Sequence, residues 1–232
     1  METISVHNMF VIGHLFGVIL GAGGAFISDG VFFSSLKDKI LSKDEFRLLR
    51  TASYFIWAGI GILFISGIGL FVLNAEVLST SEKFISKMTV VGVIILNGII
   101  FHTVHLSFLK RHLGKVLATK KQPTNAPLVP FILASGVVSM VSWVSTVILG
   151  GLRKVWFSYG EFLTLYFICI ACGIYVSHFL FRRYISKTNK KRIILLGTIT
   201  LVIALGSAMI TFDTGGYAFT FIENTQDMNG VY

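Results

Sequence analysis

Residues 9–33 read MFVIGHLFGVILGAGGAFISDGVFF, and His14 and Asp29 are the only ionisable side chains in that run. An α-helix rises about 1.5 Å per residue, so a run of this length crosses a hydrocarbon core of roughly 30 Å. Its apolar residues lie on every face, as they do in a helix with no aqueous side. Five further runs of the same kind follow, at 52–73, 86–108, 128–150, 161–181 and 192–212. The chain is 54% hydrophobic and 13% charged, against the roughly one quarter charged that a soluble domain carries. Its mean hydropathy of +0.78 agrees with that excess of apolar residues. These features predict an all-α polytopic membrane protein, a bundle of six transmembrane helices in contact with a lipid bilayer.

Charge in the connections sets the expected orientation. The first loop carries Lys37, Lys39, Lys43, Arg47 and Arg50, and the third carries Lys110, Arg111, Lys115, Lys120 and Lys121. The fifth holds Arg182, Arg183, Lys187, Lys190, Lys191 and Arg192. The second and fourth loops hold only Lys83, beside Glu76 and Glu82, and Arg153 with Lys154; the tail from Asp213 has no basic residue. Basic loops stay cytoplasmic, which predicts both termini outside a bacterial-type plasma (inner) membrane. The net charge of +9 is spent on these helix-flanking loops, a distribution that excludes a nucleic-acid partner. Residues 1–8 lack a basic segment and no small-residue cleavage site follows the first run, so that run is expected to be retained.

The domain reading is a single integral membrane domain over 1–232, with a polar external tail at 213–232. All three prolines fall in KKQPTNAPLVP, residues 120–130. Proline suits a connector better than a helix interior, so the loop 109–127 joins three-helix halves at 9–108 and 128–212. No internal repeat is visible.

Ionisable groups in hydrocarbon are costly and tend to mark sites. The expected topology sorts them by depth. His14 falls in the outer half with Lys87, while Asp29, His102, His105 and His178 fall toward the cytoplasmic side. The HTVH stretch, His102 to His105, puts two imidazoles about one helical turn apart on one face. With His178 and Asp29 it offers nitrogen and oxygen ligands for copper, iron or zinc. A b-type haem held by His102 or His105 with His178 is an alternative. Histidines near a membrane end also simply bond water or headgroups, and Lys87 can extend its stem outward instead.

Other features have packing roles to weigh against chemistry. Gly13, Gly17 and Gly21, four apart, let helices approach closely or leave room for a flat ligand beside His14. Ser135, Ser139 and Ser142, followed by Trp143, form a stripe whose hydroxyls bond preceding carbonyls or a neighbouring helix. Cys169 and Cys172 have metal-site spacing but suit packing inside an apolar helix. No phosphate-binding loop, dinucleotide fingerprint or nucleophile triad is present.

The first-helix His14 with Gly17, Gly21 and Gly24, the RLLR of Arg47 to Arg50, SGIGL at 66–70 and FISKMTVVGVIILNGIIFH with Lys87 and Asn97 make a recognisable layout. It resembles the copper-resistance protein D (CopD-like) superfamily of bacterial membrane proteins over about residues 9–110. More distantly it is similar to HemJ-type protoporphyrinogen oxidases. The resemblance implies copper uptake in the first case and haem-dependent porphyrin redox chemistry in the second. It would make His14 the haem or metal ligand and Lys87 its companion. The sequence departs from the pattern in reading LGAGG at 20–24, where a tryptophan is typical.

Three functions stay open at this point. The first is a redox or metal-handling membrane protein with haem b or a transition metal, working as a membrane oxidoreductase with a membrane redox partner or as a homo-oligomer. The second is a proton, ion or copper transporter using the same residues as a relay. The third is a structural or assembly subunit without a cofactor.

Overall fold

The computed structural model describes residues 6–38, 40–114, 128–152 and 157–186. The predicted sixth span at 192–212, the tail, and much of the proline-containing loop lie outside the described residues. Within them the chain is helical. The elements are α1 (Val6–Asp38), α2 (Lys43–Leu73), α3 (Ala75–Ser79), α4 (Glu82–Ile100), α5 (Leu106–Arg111), α6 (Leu128–Gly151) and α7 (Tyr159–Ser186). A π-helical turn, Phe101–His105, fuses α4 and α5. Among the described residues five helices are long and apolar enough to cross a membrane, and α4–α5 counts as one of them.

The helices overrun the apolar stretches predicted for them. α2 begins at Lys43, so RLLR is helical and not part of a loop. The cause is local. Ser42 Oγ accepts from Glu45 N–H at 3.1 Å, and Glu45 Oε2 accepts from Ser42 N–H at 2.8 Å, a reciprocal cap that satisfies two otherwise orphaned donors. Leu49 then packs with no exposure at all, which anchors this first part of the helix. α7 starts in the same way, with Ser158 and Glu161 bonded to each other.

α1 and α2 run antiparallel along a seam of glycines. A Cβ built at Gly59 would stand 2.5 Å from Gly21 N and 2.7 Å from Gly17 O, so the two backbones touch. Gly24 faces Ala52 O at 3.1 Å in the same seam. Lipid offers no hydrophobic drive for helix pairing, so close backbone contact supplies the attraction. The room that Gly21 leaves also admits the Trp143 indole of α6, whose Cζ2 would meet a Cβ at 2.9 Å. The glycine face is therefore filled by protein.

Two apolar clusters form the core. One gathers Phe32, Leu49, Leu109, Ile132 and Phe181 toward the end of the bundle bearing Lys110 and Arg111. The other gathers Ala25, Ile94, Val141, Trp143 and Tyr166 toward the opposite end. Polar contacts cross between helices in the second cluster. Ser142 Oγ and Tyr166 Oη lie 2.7 Å apart, and Ser142 donates to Val138 O at 2.6 Å. Since that hydroxyl proton is committed to the carbonyl, Tyr166 donates to Ser142.

Candidate functional site

Where the two clusters part, the bundle leaves a part-open cavity of about 30 Å³ with mixed polar and apolar walls, room for about two waters. Asp29 and Ser28 of α1, Ser53 of α2, Asn97 of α4, and Ser135 with Ser139 of α6 supply its polar wall. Trp57, Phe101 and Trp143 help close it with ring surface. Four helices thus contribute, and each does so through a small polar group set in an otherwise apolar span.

Two of these wall groups satisfy each other. Asn97 Nδ2 donates to Ser135 O at 3.1 Å, and Ser135 Oγ donates to Asn97 Oδ1 at 2.6 Å. This reciprocal pair ties α4 to α6. Ser53, 1% exposed, has its hydroxyl 3.2 Å from His102 Nδ1.

Asp29 differs from these bonded groups. Its Oδ2 is shut away from solvent and has no hydrogen-bond partner. Its Oδ1 lies against Gly136, where a Cβ would stand 3.1 Å away, so the missing side chain leaves space for the carboxyl against α6. A buried acceptor without a partner costs about 1–3 kcal/mol, and such groups in native proteins usually face an ordered water or ion or do chemistry.

The sequence-predicted site residues separate into distinct settings. His14 Nδ1 lies 3.0 Å from Ser66 Oγ, and Ser66 gives its own proton to Ile62 O at 2.7 Å. The ring must therefore donate from Nδ1, which leaves Nε2 with a free lone pair. Lys87 lies close enough to His14 for its charge to act on the imidazole. Lys83, one turn before Lys87, donates to Leu152 O.

Away from His14, Asp29 and Ser53 line the same cavity, and Ser53 is bonded to His102. His105 is turned elsewhere. It is fully buried between Phe101 and Phe131, with ring centroids 5.8 and 5.3 Å away, and neither of its ring nitrogens has a partner. His102 is exposed. The π-helical turn explains the divergence. Leu106 N–H bonds Phe101 O, five residues back, so a turn takes more residues than in an α-helix. A three-residue step then no longer returns to the same face. His178 stands on α7 with Nδ1 buried and unpartnered. Among the described residues, no three His, Cys, Asp or Glu side chains converge as a metal-holding group.

Ser53, Trp57 and Gly136 were not singled out in the sequence. A lone serine in an apolar helix carries little signal by itself, and what matters here is the groups that three other helices set opposite it. Comparison of the chain with protein-family models, curated proteins and solved structures finds no match.

Proposed function

We propose that the protein moves protons within a lipid bilayer, with Asp29 as the group that takes up and releases them. The observation that carries this reading is the unpartnered, buried Oδ2 of Asp29, a residue that helps line a cavity with room for about two waters. Intramembrane carboxyls set in such surroundings mark proton and ion pathways. The donor set favours a proton over a metal cation. A hard cation needs six or so oxygen ligands, whereas here one carboxyl stands free and Asn97 and Ser135 are engaged with each other. On this reading the protein is a six-span protein of a bacterial-type plasma membrane. The basic helix ends lie in the cytoplasm, both termini lie outside, and Asp29 sits nearer the cytoplasmic face.

The test is proton flux into proteoliposomes under a potassium-diffusion potential, read with an entrapped pH dye. Wild-type protein is expected to conduct, and Asp29→Asn, which keeps the shape and removes the exchangeable carboxyl proton, to lose the flux. Equal flux in the two proteins would refute the reading.

One observation favours a second reading, the haem or metal protein that the CopD-like and HemJ-type resemblances imply. The Ser66 bond holds His14 in the tautomer whose Nε2 is free to bind iron or copper, with Lys87 nearby. The glycine face beside it is packed against α2 and offers no room for a ring. A haem would have to meet His14 from another side, where a membrane redox partner or a second copy of the chain could contribute. On this reading, protein purified from haem-replete cells shows a Soret band that His14→Ala abolishes. A colourless preparation without bound metal removes it.

A further inference from the structure

Ser53 has two neighbours of different kinds. It helps line the Asp29 cavity, and its hydroxyl bonds the Nδ1 of His102. His102 is exposed, so its imidazole reaches from the cavity wall to the surface of the bundle. No other titratable side chain among the described residues has a bond of this kind to the wall. His105, although only three residues on, has Phe101 and Phe131 against its ring and no polar partner. The Asn97–Ser135 pair is closed on itself.

We infer that protons pass between the Asp29 cavity and the bundle surface through Ser53 and His102, an inference that rests on the proton-handling reading of Asp29. In the outward sense of the path, the Asp29 carboxylic acid gives its proton to a cavity water. That water passes one of its protons to Ser53 Oγ as Ser53 gives its hydroxyl proton to His102 Nδ1. Water and hydroxyl are thereby restored, Asp29 becomes a carboxylate and His102 an imidazolium. The imidazolium then gives its Nε2 proton to a water or lipid-headgroup oxygen at the surface of the bundle. The neutral ring is left protonated at Nδ1 and resets by turning over or by exchange with water. Protons and charge balance with that surface oxygen as the final acceptor. The same steps in reverse load Asp29.

A hydroxyl suits the middle of such a path because it donates and accepts at once. A histidine suits its end because its two nitrogens let a proton enter on one side and leave on the other. The π-helical turn contributes by keeping His102 against Ser53 while sending His105 into the core.

The experiment is the same proteoliposome flux assay with Ser53→Ala, Ser53→Thr, His102→Ala and His102→Gln, with and without added imidazole. Ser53→Ala and His102→Ala are expected to lower flux by about tenfold or more, the scale of losing a positioned proton-transfer group. Ser53→Thr keeps the hydroxyl and should keep the flux. Free imidazole, which crosses membranes when neutral, should restore flux to His102→Ala and leave Asp29→Asn inactive. A purely structural role for His102 would give no rescue, and that result overturns the path. If Asp29→Asn abolishes flux while the Ser53 and His102 variants conduct like wild type, the path is wrong and the role of Asp29 stands. If wild type does not conduct, or Asp29→Asn conducts equally, both fall.

Discussion

Gly59→Ala is expected to lower the apparent melting temperature in detergent by roughly 10 °C, corresponding to about 3 kcal/mol. The added methyl would stand 2.5 Å from Gly21 N and 2.7 Å from Gly17 O, and these are backbone atoms that cannot swing aside. α1 and α2 must separate along the whole seam or shear past one another. Either movement also disturbs Trp143, which occupies the space left by Gly21. Gly92→Ala is the control, because nothing lies within 4 Å of a Cβ there. In that open position alanine should hold or raise the melting temperature, since it favours helix by up to about 1 kcal/mol over glycine. Size-exclusion after graded heating reads both. Equal melting of Gly59→Ala and wild type would mean that the seam is looser than described.

Asp29→Leu should have the opposite effect on stability. It removes an acceptor that is buried without a partner, whose cost is about 1–3 kcal/mol, and puts apolar atoms into the cavity beside Gly136. The variant is expected to melt several degrees above wild type and to carry no proton flux. A gain in stability with a loss of activity is the sign of a group kept for function at the expense of the fold. Asp29→Asn should be close to neutral in stability while sharing the loss of flux. Destabilisation by both substitutions would show that the carboxyl is bonded where Oδ2 is described as free.

The architecture was legible because hydrocarbon imposes a coarse rule. Long apolar runs must be helices, so α1, α2, α6 and α7 announce themselves, and α4–α5 with them. Asp29 was legible for the same reason, as a carboxyl far inside such a run. What could not be read depends on contacts between helices. Ser53 matters only because it shares a cavity with Asp29 of α1 and a hydrogen bond with His102 of the fused α4–α5 helix. The π-helical turn has no local signature in FHTVH, and reading that stretch with α-helical spacing put His102 and His105 on one face. The early start of α2 was present in the sequence as Ser42 followed three residues later by Glu45. Hydropathy conceals it, because the charged residues of that first part suggest a loop.

The glycine seam also has a mechanical consequence. Two helices in backbone contact behave as one stiff strut, and Asp29 and Ser53 are mounted on its two members. Their spacing is thus set by the frame and varies little when the rest of the bundle shifts. On the proposed proton path, interruption falls outside the strut, at His102, whose turn meets α2 through a hydrogen bond to Ser53. On that proposal the strut keeps the route aligned, and the hydrogen-bonded joint is where it opens.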